Sequence, residues 1–199
     1  MRKRAKSRGF TLVELMIVVA IIGVLAAMAV FGLSRYLASA KTAEAKSIIG
    51  NVSRAAHASY ERESMNAETV AEGSESTVTA HNLCGTAAPV PGFVPAGKKY
   101  QPITADGQDF ESGNALNGWK CLKYQMSQPI YFQYLYTKNG SPAAPNNPAA
   151  CGTDCYEAGA LGDSDSDGVL SMFARTGVVN TATGALRAST QVYVENEAE

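Results

Sequence analysis

Asp163, Asp165 and Asp167, followed by Gly168, stand at alternate positions late in a chain of 199 residues. Carboxylates so spaced converge on one hard cation and the glycine permits a sharp turn, so the stretch matches the first half of a calcium loop, with the Val169 carbonyl as a further ligand. The second half is missing, because Ala174 stands where an EF-hand places its bidentate glutamate. Calcium on this set is expected to bind weakly, at about 10⁻⁴–10⁻³ M, unless an oxygen such as that of Glu157 completes it. The alternative is a solvated acidic turn in which aspartate side chains accept from their own backbone.

Cys84, Cys121, Cys151 and Cys155 form the second constellation. Four cysteines allow three pairings. Cys151 and Cys155 are near enough to close a small ring, which would leave Cys84 with Cys121. Zinc is the weaker reading, since the only histidines, His57 and His81, lack finger-like spacing. Neither histidine accompanies a nucleophile in a recognisable motif, so surface positions are expected for both. No phosphate-binding glycine loop is present and no enzymatic constellation emerges, so no enzymatic activity is expected.

The third constellation is Gly9-Phe10-Thr11-Leu12-Val13-Glu14. From Leu12 to Leu33 there are 22 residues and one charge, Glu14. At 1.5 Å per residue a helix over this run covers about 33 Å, enough to cross a bilayer's hydrocarbon core. Arg2, Lys3, Arg4, Lys6 and Arg8 precede it with no acid. Flanking positive charge stays in the cytoplasm, so the N-terminus faces in and the remainder is exported. Disulfides are the default fate of cysteines there. A secretory signal would place its cleavage site beyond a shorter apolar core. Here the processing-like site, Gly9-Phe10, comes first, so cutting would remove the charges and keep the apolar segment.

Gly9, Phe10, Thr11, Leu12, Glu14 and Leu15, behind a basic leader, resemble the prepilin signal of the type IV pilin and pseudopilin superfamily. The likeness is close over roughly residues 1–35. It implies that a membrane peptidase cleaves after Gly9 and methylates the new N-terminal Phe10. It also implies that Glu14 sits near the free N-terminal amine of a neighbouring subunit. A carboxylate left unpaired in low dielectric is costly, so such a contact selects one axial register. The bland alternative is a solvated Glu14 at the membrane interface. The fold implied is α+β, a long N-terminal helix packed on a C-terminal antiparallel sheet. The partners implied are further copies, related pilins, the prepilin peptidase and an inner-membrane assembly platform. The chain would begin as a single-pass protein of the bacterial inner membrane. It would end in a surface pilus serving adhesion, twitching motility or DNA uptake, or alternatively in the periplasmic pseudopilus of a type II secretion system. A membrane-anchored binding protein that never polymerises ranks last, because it leaves Glu14 without a partner. Some relatives, the major secretion pseudopilin among them, hold calcium in this same C-terminal part. Many relatives carry a helix-kinking proline near Phe31, where this chain has Val30-Phe31-Gly32.

These readings require five regions: a leader over 1–9, a membrane or filament-core helix over 10–33, its amphipathic continuation over 34–63, a connection over 64–118 and a sheet over 119–199. Leu33, Leu37, Ala40, Ile48, Val52, Ala55 and Ser59 recur at helical spacing and predict one buried stripe. Phe10 to Glu63 as one helix would be about 80 Å long. The stretch from Trp119 to Tyr136 reads as the clearest strand, with Ile130, Phe132, Tyr134 and Tyr136 alternating against Tyr131, Gln133 and Leu135. Residues 138–160 read as a loop on their Pro142, Pro145 and Pro148. Val169–Val179 and Ala185–Val194 read as a hairpin about Asn180–Gly184. Roughly 130 residues beyond the helix suffice for one compact domain. The net charge is −1. Losing the five leader cations leaves 12 basic residues against 18 acidic ones, a charge of −6 that gives no general attraction to nucleic acid.

Overall fold

The computed structural model describes residues 9–62, 72–73, 81–144, 146–147 and 151–197. It divides into two compact units, Met1–Ala40 and Lys41–Glu199. One helix, α1 (Leu12–Tyr60), contributes to both.

In the first unit α1 carries the uninterrupted apolar run. Its strong helix formers, chiefly leucine, alanine and methionine, and the absence of proline favour helix throughout. Leu12, Val13, Leu15, Met16, Val24, Leu25 and the other described large apolar side chains of this run are 49–74 % exposed. That much contiguous apolar surface requires a lipid or protein cover. The run is long and apolar enough to cross a membrane.

In the second unit α1 is amphipathic. Ala45, Ile48, Ile49, Val52, Ala56 and Tyr60 are buried, at steps of one, three and four residues. The predicted stripe holds here for Ile48, Val52 and Ser59, with Ala55 half-buried. Leu33, Leu37 and Ala40 are instead exposed, and belong to the first unit, which consists of the helix without a sheet.

The sheet is antiparallel throughout, built from β1 (Ala87–Val90), β2 (Gln133–Lys138), β3 (Cys155–Gly162), β4 (Ser171–Val179), β5 (Leu186–Ala188) and β6 (Tyr193–Glu195). The order is β1-β2-β3-β4-β5, and β6 also pairs with β4. Ile130, Phe132, Tyr134 and Tyr136 are all buried beside Trp119, Tyr156 and Phe173. Phe132 meets Phe173 edge to face and Tyr136 stacks on Tyr156, each with centroids 5.7 Å apart.

Four expectations are corrected. Trp119 does not open a strand but lies in a one-turn helix, α2 (Gly118–Leu122), ended by Lys123 in the left-handed region at φ 54°. The Trp119 indole N–H is spent on the Ala88 carbonyl at 2.8 Å, which fixes that turn against β1. The 64–118 connection contributes β1 to the sheet. Residues 155–160, expected in a loop, form most of β3. Their composition, Cys-Tyr-Glu-Ala-Gly-Ala, hides a central strand because its bulk comes from neighbours. Tyr156 lies over Gly177, where a Cβ would come within 2.3 Å of its ring. Finally, the run after Gly184 is split by residues 189–192 into β5 and β6. The hairpin turn itself forms, with the Gly184 amide on the Asn180 carbonyl at 2.7 Å.

Candidate functional site: the N-terminal motif and the acidic loop

Residues 1–8 of the leader lie outside the described residues. Gly9 and Phe10 are exposed, and Phe10 retains 86 % of its accessible surface. Neither is helical, so the Gly9–Phe10 peptide bond stands free of the hydrogen-bonded ladder that begins at Leu12.

Glu14 is exposed but not idle. The Thr11 amide and the Thr11 hydroxyl both donate to Glu14 Oε2 at 2.8 Å, and the Glu14 amide donates to Thr11 Oγ1 at 3.2 Å. This is a reciprocal capping box, with Thr11 as the N-cap and Glu14 at the third helical position. It satisfies two of the amides that a helix start leaves unpaired, and it sets a negative charge at the positive end of the helix dipole. The pattern Thr-x-x-Glu ahead of an apolar run was the sequence signal for it. Read only for assembly, Glu14 concealed its second task.

Asp163, Asp165 and Asp167 converge, with one ligand oxygen from each lying within 4.8 Å of the others. That span fits calcium–oxygen bonds of about 2.4 Å. The three carboxylates are also engaged by the loop itself. Asp163 accepts the Ser166 amide at 2.7 Å and the Gly168 amide at 3.2 Å. Asp165 accepts from the Asp167 amide at 3.3 Å, and Asp167 from the Val169 amide at 2.7 Å. Ser166 and Gly168 adopt positive φ values of 67° and 90°. These Asx-type bonds hold the turn by themselves. Glu157 is not a fourth ligand: it lies inside β3, six residues before Asp163 along an extended strand, roughly 20 Å away at 3.3 Å per residue. Ala174, at the position of the missing glutamate, is buried within β4.

The cysteines pair as Cys84–Cys121 and Cys151–Cys155. The first joins cysteines 37 positions apart, linking the approach to β1 with α2, and the second joins cysteines 4 positions apart at the start of β3. No cysteine is left free. The two histidines are structural. His81 Nδ1 lies 3.0 Å from the Tyr60 carbonyl at the end of α1, and its ring stacks on Tyr60. His57 is half-buried and not a surface residue, edge to face with Tyr156. Burial, reinforced by the Arg175 charge, holds its pKa below the ordinary value.

Sequence reasoning also missed the role of Tyr131. Lys41 Nζ and Lys99 Nζ lie 4.9 and 4.8 Å from its ring centroid. Lys41 further donates to the Ser164 carbonyl at 3.2 Å, which ties the acidic loop to α1.

Residues 4–30 match the family described as the prokaryotic N-terminal methylation motif. A segment of 45 residues is 56 % identical to the type IV major pilin protein PilA of Myxococcus xanthus strain DK1622. That segment is 23 % of this chain and 20 % of the relative. No solved structure matches the chain. The N-terminal segment therefore carries the methylation motif and resembles a type IV pilin. The long helix followed by an antiparallel sheet is consistent with the pilin α+β fold.

Proposed function

We propose that this chain is a structural subunit of a type IV pilus. It is inserted in the bacterial inner membrane, cleaved after Gly9 by a prepilin peptidase, methylated at Phe10 and assembled with copies of itself and related pilins on an inner-membrane platform. One observation carries the reading: an exposed apolar helix begins with a lone acid, Glu14, five residues beyond an accessible Gly9–Phe10 bond. In the free subunit Glu14 is held by Thr11. On assembly the carboxylate would exchange part of that local cap for the amine of a neighbour, and the apolar run would exchange lipid for neighbouring helices. Two disulfides in the exported unit suit a filament exposed to proteases and shear.

The test is intact mass and electron microscopy of material sheared from cells. Thin filaments whose subunit begins at methylated Phe10 establish the pilus reading. Processed chain confined to inner membrane and periplasm would point instead to a type II secretion pseudopilus. Chain that keeps its leader would sink both.

The convergence of Asp163, Asp165 and Asp167 supports calcium as a ligand of the loop, with Val169 supplying a carbonyl. Calorimetry should then show calcium binding at about 10⁻⁴–10⁻³ M that Asp165→Asn abolishes. A loop held only by its own hydrogen bonds would give no heat.

A further inference from the structure

Glu157 is fully buried in the middle of β3, and its Oε2 has no hydrogen-bond partner. Its Oε1 accepts the Ala143 amide at 2.8 Å. Alternation along β3 puts Glu157, Gly159 and Leu161 on one face of the sheet and Tyr156 on the other, where its hydroxyl meets Ser53 of α1. Residues 141–144 cross that first face. Ala143 and Ala144 are fully buried there. The crossing is possible because Gly159 lacks a side chain, since a Cβ at that position would lie 2.3 Å from the Ala143 methyl. The segment's ends are fastened. The Cys155 amide donates to Asn139 Oδ1, the Cys151 amide donates to Ser141 Oγ at 2.6 Å, and Cys151 is bonded to Cys155.

We propose that residues 141–144 are a pH-gated flap on the sheet: closed while Glu157 carries a proton, and lifted when Glu157 ionises, uncovering Leu135, Gly159 and Ala174. A carboxylate without a counter-charge is strongly disfavoured in a buried site, so it either holds its proton or obtains water. The flap is the covering that can yield water, and its fastened ends bring it back.

Among the described residues, the immediate neighbours of Glu157 on its face carry no charge. Cross-strand partners Thr137 of β2 and Thr176 of β4 are uncharged. Leu135, Gly159 and Ala174 are apolar, Cys155 is in its disulfide, and residues 141–150 contain no ionisable side chain. Lys138, Tyr156 and Arg175 alternate onto the opposite face. Tyr193 and Glu195 of β6 and Arg187 of β5 share the face, beyond β4. Burial is accordingly the largest influence on Glu157 and raises its pKa, with the Ala143 amide, Ser141 and Ala144 opposing it.

The sign follows from linkage. A raised pKa in the closed state means that closure binds a proton. The closing contribution is therefore whole below the ordinary carboxylate value, 4.5, and is lost as pH rises through the raised one. Between the two values, flap protection should fall as pH rises, because opening releases a proton.

Hydrogen exchange of the full chain in detergent micelles reads this directly, in peptides covering 141–144 and corrected for intrinsic rates. In the wild type, log protection should fall as pH rises through the window. Glu157→Gln should hold protection flat. Gly159→Ala should leave the flap unprotected even at the acid end, since Ala143 can no longer seat. A flat wild-type profile would overturn the proposal, as would a Glu157→Gln profile that falls in parallel with it. If Glu157→Gln does not fold, the wild-type slope and the Gly159→Ala profile still decide.

Discussion

The two stretches of α1, Leu12–Leu33 and Lys41–Tyr60, share one backbone ladder and have opposite requirements. The first exposes nearly every large side chain, so its free energy is set by what lies outside the chain, lipid or a neighbouring helix. The second buries Ala45, Ile49, Val52 and Ala56 against the chain's own sheet. Small residues dominate that second interface because Tyr134, Tyr136, Tyr156 and Phe173 already supply its volume. Helical pattern says that a face will be covered. Its width and composition say whether the cover comes from within.

Substitutions should separate the two. The largest effect is expected from Glu14→Ala, which removes the only charge in the apolar run: sheared filaments should disappear while the head keeps its native melting temperature. Filaments at wild-type yield would show that register is set elsewhere. Next, Ile49→Ala should cost the head about 2–5 kcal/mol, because a buried side chain is deleted in a packed interface, whereas Leu25→Ala should leave head stability unchanged. Denaturant titration of both variants gives the contrast, and equal losses would dissolve it. Opening Cys84–Cys121 by paired substitution to alanine should cost about 4 kcal/mol for cysteines 37 positions apart, measurable by the same titration. The smallest effect is Thr11→Ala, expected to cost about 1 kcal/mol of helix-start stability through loss of the N-cap. Filaments should still form, since Glu14 remains. Exchange at the first turn of α1 measures the loss.

Two carboxylates extend the comparison. Glu14 is exposed and satisfied by a threonine three residues away, a contact encoded in four consecutive letters. Glu157 is buried and half satisfied by an amide fourteen residues away in a segment that reads only as loop. The first was legible from spacing, the second was not. Nothing local distinguishes a glutamate that a strand points outward from one that a returning segment will cover.

Local order thus determined a good deal by itself. The apolar run, its single acid, the basic leader and the Gly9–Phe10 junction are contiguous, and helix period and charge act over a few residues. The Asp163–Asp167 turn was legible for the same reason, since its hydrogen bonds join residues two to five apart. Tertiary structure decided the rest. It made β3 a central strand by laying Tyr156 over Gly177, turned Trp119 into a helix by giving its indole the Ala88 carbonyl, and chose one of three cysteine pairings. It also separated Glu157 from the acidic loop. The physical reason is common to all of these. Non-local packing joins positions that sequence spacing leaves independent, and a small residue becomes core only when a distant large one arrives to fill its space.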